Sequence, residues 1–529
     1  MKVMKTQKSA ALRILSVAIA FMLVFALSAC AGEEAAKPDL TIGVSGTISS
    51  LDVNQEAGIL NYQLAALTQE GLVSMGNDGE IVPSLAESWT DEDATVWKFK
   101  LREGAKFHDG TDVTADDVVY SIERAMDPEQ SPGVSIYFPD YVDTVEKTAD
   151  DEITVTLDGS HAGFIWAVSN TGGLLVTPKA WSEEAGAIGS PTDLIVGSGP
   201  YKVVDFEPSS HVTYEAVDTW WGGAPALTSL RVDFFGDEET RLLAFTQGDI
   251  DFALSIPVEN ADNWEKVEGA TIEYYPERSY YGLTFDPTVE PFDDIHVRKA
   301  VALAVDKESI VSGSILEGHS EVASAITPPE QFVAVLSADE AKEQLDTITQ
   351  YNYDIDAARA ELAQSKVPDG FTTTIYYPDA YKNAGEASLA IADTLLEIGI
   401  KLEVKEIPLE QWLNEVGDGN QGIAWMIYLA TTAEPGEIVA WLCDAQGSGI
   451  NPANWTNEAA AEQVRLILSA ESLEAQVPPT IESNEIAEQE AVYQPLWWGE
   501  AAIAWQEGVT VKDFTSFSLL SPDWPKLFT

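Results

Sequence analysis

The chain has 529 residues, 45% of them hydrophobic, and sets 29 Lys and Arg against 87 Asp and Glu, for a formal net charge of −58. A field of that sign repels nucleic acid and anionic lipid headgroups and keeps a protein soluble beside a membrane, so nucleic-acid binding is excluded as a function class. With 15 Trp the chain is not intrinsically disordered, and its length exceeds what one core supports, so more than one lobe is expected.

The N-terminus comes first. Residues 1–29 hold Lys2, Lys5, Lys8 and Arg13, no acid, and an apolar run that begins at Ile14. A charged segment followed by an apolar one is a secretory address and not part of the fold. Ile14 to Gly32 is also long enough to span a bilayer, which takes roughly 20 residues. Local chemistry separates the two readings. Leu27-Ser28-Ala29-Cys30 resembles the lipobox of bacterial lipoproteins, in which the cysteine is lipidated and becomes the new first residue. The resemblance implies a signal peptide over 1–29, lipidation of Cys30, a tether over 30–37, and attachment to a membrane through several acyl chains, which bind stably where one does not. Cys443 is the one other cysteine, so no disulfide framework is expected.

Strand and helix patterns then alternate, with no short-period repeat. Leu40 to Val44 reads as a first strand. Trp97, Phe99 and Leu101 alternate with Lys98, Lys100 and Arg102, the period of a half-buried strand, and Ile153, Val155 and Leu157 repeat it. Thr114 with acids at 116 and 117 predicts an N-cap opening a helix through Val118, Ile122 and Ala125. Asp294 caps a second helix whose apolar stripe is Val297, Ala300, Val301, Ala304 and Val305. Ala387 to Ile398 reads as a helix stopped at Gly399, with a strand from Ile400 to Val404. The class is α/β with mixed sheets.

Longer blocks carry more. Asp78-Gly-Glu-Ile-Val-Pro-Ser-Leu-Ala-Glu-Ser-Trp89 is followed by Phe99-Lys-Leu-Arg-Glu-Gly-Ala-Lys-Phe-His-Asp-Gly110 and by Thr114-Ala-Asp-Asp-Val-Val-Tyr-Ser121. Gly197-Ser-Gly-Pro-Tyr-Lys202, Trp221-Gly-Gly-Ala-Pro225, Gly248-Asp-Ile-Asp251, Pro291-Phe-Asp-Asp-Ile-His-Val-Arg-Lys-Ala300, Asn451-Pro-Ala-Asn-Trp455 and Pro495-Leu-Trp-Trp498 come after them in order. Together these resemble the family 5 extracellular solute-binding proteins of ABC importers, which include dipeptide, oligopeptide and nickel binders. The resemblance covers nearly all of residues 38–529.

It implies a periplasmic binding protein-like, two-lobed cleft of three domains. Domain I would comprise 38–72, 193–283 and 496–529, domain II 73–192, and domain III 284–495, with hinge crossings near 284 and 495. Closure of such a hinge adds contacts to the ligand in the closed state alone. The implied role is capture of a small peptide outside the cytoplasm by a monomer with no cofactor, and its delivery to the importer's permease. A non-peptide solute (a metal chelate such as nickel, an oligosaccharide, an amino-acid derivative) and a surface sensor reusing the fold stay open beside it.

In peptide-binding members the segment before an acidic-Pro pair carries a Trp and an Asp, the Asp meeting the peptide's ammonium. Here Tyr428 falls at the Trp position and Thr431 at the Asp position, before Glu434-Pro435. Tyr428 can still stack on a ligand, whereas Thr431 offers no counter-charge, and an unpaired buried ammonium costs several kcal/mol. Either Glu434 or another acid replaces the anchor, or the ligand presents no free amine there. The resemblance places Gly58 and Ile59 on a loop facing the cleft, and puts Tyr280 and Tyr281 where the chain leaves domain I, one of the two facing inward by strand alternation. Trp412, Trp425, Trp441, Trp455 and Trp498 read as core before ligand platform.

Enzyme and metal readings find little support. His108, His161, His211, His296 and His319 show no i, i+4 pair and no ligand spacing, so no metal residues are assigned. No Gly-x-Ser-x-Gly occurs, and Cys443 lacks the surroundings of a nucleophile.

Overall fold

The structure, a computed structural model, describes residues 39–135, 141–409, 411–412, 422–443, 451–522 and 524–528. The predicted lipidation site Cys30 lies outside them. Residues from Leu40 onward form one compact unit. Its first strand is β1 (Leu40–Ser45), followed by a short hairpin of β2 (Val73–Met75) and β3 (Ile81–Pro83).

Next come β4 (Ala86–Glu92), β5 (Val96–Leu101), β6 (Val142–Ala149) and β7 (Glu152–Leu157), an antiparallel sheet in the order β4-β5-β7-β6. The alternation seen in the sequence orients it: Trp97, Phe99, Leu101, Ile153, Val155 and Leu157 are all buried. The helix Ala115–Met126 lies against this sheet, with Val118, Ile122 and Ala125 inward. It starts where predicted, because the Thr114 hydroxyl accepts from the Asp117 N–H while the Asp117 carboxylate accepts from the Thr114 N–H.

A nine-stranded mixed sheet forms the centre of the molecule. Its members are β1, β8 (Tyr201–Glu207), β9 (His211–Ala216), β10 (Ser229–Phe235), β11 (Phe252–Pro257), β12 (Thr271–Phe285), β13 (Glu321–Val322), β16 (Ile423–Leu429) and β17 (Tyr493–Trp505). They run in the order β16-β12-β17-β11-β1-β10-β9-β8, with β13 on β17. β1 is parallel to both β10 and β11, and the long strands β12 and β17 pair antiparallel along most of their length, from Thr271↔Trp505 to Thr284↔Tyr493. That pairing breaks register between Pro276 and Tyr280, leaving Glu277, Arg278 and Ser279 as a bulge.

A separate parallel pair, β14 (Thr372–Pro378) and β15 (Lys401–Ile407), is joined by the helix Lys382–Glu397. The predicted helix began five residues later, at Ala387. Nothing in the sequence marks the true start, since Tyr381 precedes it without a side-chain cap. Its end is legible, because Gly399 adopts φ 90° there. Asp294 caps the helix Ile295–Ala304 through the His296 N–H, with the predicted apolar stripe buried beneath it. Among the described residues no helix is long and apolar enough to cross a membrane.

Candidate functional site

A cavity of about 150 Å³ opens at the carboxyl end of β1, at Val44 and Ser45, beside Leu254 and Ser255 in the middle of β11. In sheets with parallel strands the carboxyl ends are where ligands bind, because the loops diverge there and leave a crevice. The bulge of β12 supplies Glu277, Arg278 and Ser279 to the same wall. Along a regular strand neighbours face opposite ways, and a bulge alters those directions locally. Ile59 and Gln63, the end of β16 at Leu429 and Ala430, and Leu519 of the C-terminal segment close the rest.

The two charged residues of this wall have different surroundings. Ser279 donates its hydroxyl proton to Glu277 Oε2 at 3.2 Å. Burial drives the Glu277 carboxyl up to about 7, the Ser279 bond pulling it partly back. Gly499 makes that arrangement possible: a Cβ there would strike Ser279 Oγ and stand 2.8 Å from Glu277 Oε2. Arg278 is 5% exposed, with its guanidinium 4.5 Å from the centre of the Phe517 ring. Its Nη1 donates to the Thr432 carbonyl at 2.7 Å, and its Nε is buried without a partner. Burial lowers Arg278 to about 10, against the opposing charges of Glu437 and Glu330. Neither Glu277 nor Arg278 forms an ion pair among the described residues.

Beside the cavity, the loop after β16 is organised by one buried carboxylate. Glu437 accepts from the N–H groups of Thr431 and Thr432, both hydroxyls of Thr432 and Tyr428, and Nε2 of Gln331. Gln331 also donates to the carbonyls of Thr432 and Glu434, which pins the loop backbone. This loop meets the unit built on the β4–β7 sheet. Ala433 packs into that unit's core, and Glu434 lies against Gly163, whose missing side chain leaves it room. Further along, the Ala162 N–H donates to the Ala470 carbonyl at 2.9 Å, and a ring nitrogen of His161 lies 2.7 Å from the Leu468 carbonyl.

The sequence-predicted residues divide accordingly. Ile59 lines the cavity, and Gly58 is the exposed residue before the helix Ile59–Ala65, its carbonyl accepting from the Tyr62 N–H. Tyr428, half-buried, and Thr431, 8% exposed, are both tied to Glu437. Glu434 accepts from Gln476 at 2.7 Å and is held up at about 7 by burial, so it faces the neighbouring unit and not the cavity. The inward tyrosine expected at 280 or 281 is corrected: both are core residues. β12 is an interior strand covered on each face, so Tyr280 packs with Met426 and Tyr493, while Tyr281 stacks on Trp497 at 5.2 Å. Trp412, Trp425, Trp455 and Trp498 are buried and Trp441 is half-buried.

Sequence reasoning missed Glu277, Arg278 and Glu437. The first two had a signal, since two adjacent charges lie between the aromatic pairs Tyr274-Tyr275 and Tyr280-Tyr281. Among the described residues no cluster of His, Cys, Asp and Glu could hold a metal ion. His108 is structural: its ring bonds to the Gly197 N–H and the Gly199 carbonyl, and burial lowers it to about 4.

A mixed central sheet, a second sheet-based unit packed beside it, and a cleft at the end of β1 define a two-lobed binding-protein fold. Comparison with known proteins agrees. The profile of the bacterial extracellular solute-binding proteins, family 5, matches residues 80–449, and the chain belongs to that family, which serves ABC importers. The glutathione-binding protein GsiB of Shigella dysenteriae serotype 1 is 26% identical over 495 residues, covering 92% of this chain and 93% of its own. GsiB of Escherichia coli K12 is also 26% identical, over 407 residues and 76% of each chain. Among solved structures, the binding protein AgaA of A. tumefaciens R10 in complex with agropinic acid superposes with a TM-score of 0.77 at 24% identity, over 93% of this chain and 98% of its own. DppA of Helicobacter pylori in complex with the peptide STSA gives a TM-score of 0.77 at 21% identity, over 92% and 97%. The last two show the shared fold.

Proposed function

We propose that this chain captures a small peptide-class solute in the cavity at the end of β1, beside β11, and delivers it to the permease of an ABC importer. The observation that carries the reading is the convergence of distant segments on one cavity whose lining includes Glu277, with Ser279 as its recorded donor, and Arg278, whose Nε lacks a partner. A lining that includes residues of both signs suits a ligand that carries both.

Capture proceeds by closure of the β4–β7 unit and the residues beyond 284 over the ligand. The three-domain division (domain I 38–72, 193–283 and 496–529; domain II 73–192; domain III 284–495) goes with it. The hinge reading is supported by β12 and β17, which carry both crossings and pair at Thr284↔Tyr493, so the two bend together. After removal of residues 1–29, acyl chains on Cys30 hold the receptor at the outer face of the membrane, as Leu27-Ser-Ala-Cys30 supports.

The test is ligand-dependent thermal stabilisation by glutathione and a library of di- to hexapeptides. A ligand at 100 times its Kd that binds the native state alone adds about 2.7 kcal/mol, so a true ligand raises Tm clearly. Shifts with sugars or metal chelates, and none with any peptide, would overturn the peptide reading. Thr431 at the position of the usual acid favours a second one, a non-peptide solute such as an amino-acid derivative, for which the same screen decides.

A further inference from the structure

Arg278 and Glu277 leave β12 on opposite faces. Arg278 lies against Thr432 and Phe517, with Glu437 and Glu330 as its opposing charges. The odd-numbered residues share the other face, as alternation requires. A Cβ on Gly499 would strike Ser279 Oγ and stand 2.8 Å from Glu277 Oε2 and 3.0 Å from Tyr281 Cε2, so these three side chains converge over that glycine. Tyr381, just before the helix Lys382–Glu397, sets its ring edge-on to Tyr281 with centroids 6.1 Å apart. Glu259, on the helix Val258–Trp264 that follows β11, joins the group. Its charge acts on Glu277 and Tyr281, and that of Glu277 on Tyr281 and Tyr381.

The group lacks two things. Among the described residues no Lys or Arg opposes either carboxylate: Glu277 meets the charge of Glu259, and Glu259 those of Glu238 and Glu386. Bases on the adjoining helices are engaged elsewhere, Arg241 with Glu238 at 2.7 Å and Lys382 with Glu406 at 2.8 Å. Burial accordingly raises the pKa of both acids. The second lack is at Tyr281, 7% exposed. Its ring is core, stacked on Trp497, yet its hydroxyl end reaches the acids and has no hydrogen-bond partner among the described residues.

We propose that Glu277 and Glu259, with the hydroxyls of Tyr281 and Tyr381, form a subsite for a cationic side chain of the ligand, a lysine ammonium or an arginine guanidinium. This rests on the peptide-class reading above and adds the charge that the site selects. Both cations carry donors and no acceptor, and two carboxylates with two hydroxyls answer them with acceptors. A metal ion fits less well, since among the described residues no cluster of His, Cys, Asp and Glu could hold one. Tyrosine walls cover the apolar stem of such a side chain and add attraction for its head. The cavity gives access, because Glu277 and Tyr275 line it.

The experiment is calorimetric titration of the full-length protein with tri-alanine carrying Lys or norleucine at each position in turn. The paired probes share their termini and differ in the ammonium, so the α-amino group cancels. At the position that meets the subsite, the wild type is expected to bind the Lys peptide at least tenfold more tightly than its norleucine counterpart. Glu277→Gln and Glu259→Gln should each lower that ratio at least threefold. Both are nearly isosteric and should fold, which melting curves check; should one not fold, the other decides. Glu458→Gln, at an acid whose side chain is 93% exposed, removes the same charge from the surface and should leave the ratio unchanged. Equal binding of Lys and norleucine at every position, either site variant keeping the wild-type ratio, or Glu458→Gln lowering it equally would each overturn the proposal and leave the peptide reading standing. If the wild type binds neither these probes nor any library peptide, both readings fall.

Discussion

Two carboxylates, Glu437 and Glu277, behave as opposites. Glu437 is 7% exposed and accepts hydrogen bonds from two backbone N–H groups, two hydroxyls and an amide, with Arg278 as the nearest compensating charge. Glu277 stands on a cavity wall with the Ser279 hydroxyl as its recorded donor. A buried charge costs free energy unless donors replace its water. Where the protein supplies all of them the group is scaffold, and where it supplies one the group awaits something else. Exposure alone does not separate the two roles; the count of satisfied lone pairs does.

The largest expected effect tests the scaffold side. Glu437→Ala removes the acceptor of five donors and leaves Arg278 without its nearest opposing charge, and truncating one partner of a buried ionic network costs about 3–5 kcal/mol. A urea denaturation midpoint would show it, whereas a loss within about 1 kcal/mol would mean the loop is held by packing and not by Glu437. Ligand binding should fall with it, because the same carboxylate sets the backbone of Thr431 and Thr432.

The second effect is smaller and concerns pH. Burial pushes Glu70, Glu277, Glu330 and Glu434 up to about 7 from an ordinary value near 4.5. A folded-state pKa above the unfolded one means the native protein binds more protons between those values. Stability is therefore fully present below about 4.5 and is lost as pH rises through about 7. The apo protein should lose on the order of 2 kcal/mol between pH 5 and pH 8, well short of four full shifts because Glu277, Glu330 and Glu434 keep partial contact with water. Urea midpoints measured across that range check the sign, and a midpoint that rises with pH would show that these groups are hydrated in the folded state. Glu277→Gln should flatten the slope in part, since it removes a group that no cation compensates.

What could be read from the sequence follows the range of the interactions involved. Trp97, Phe99 and Leu101, the Thr114 box and the Asp294 cap are settled within a few residues, and each appears in the fold as expected. The start of the helix at Lys382 was not legible because its first turn has no cap. At the site, Ile59 was reachable through the family resemblance. Glu437 was not, since Gln331 meets it across 106 residues, and the adjacent charges at 277 and 278 gave a signal for Arg278 but none for its partner Thr432, 154 residues away. The tyrosines misled for a related reason. Alternation assigns a residue to a face but not what covers that face, and β12 is flanked by β16 and β17 with cores on both sides.

The smallest effect sharpens the contrast most. Ser279 Oγ donates to Glu277, so Ser279→Ala takes away the recorded hydrogen bond of that carboxylate and touches nothing at Glu437. A single hydrogen bond to a charged group contributes about 1.5–3 kcal/mol when both ends are dry, and less at a cavity wall. The Ser279 bond is also the main force holding the Glu277 pKa down against burial, so its loss moves that pKa further up. The variant's urea midpoint should therefore keep falling with pH beyond the range in which the wild type's levels off. Urea denaturation from about pH 5 to about pH 9 checks this, and midpoints that level off together would mean that Ser279 does not hold down the proton affinity of Glu277.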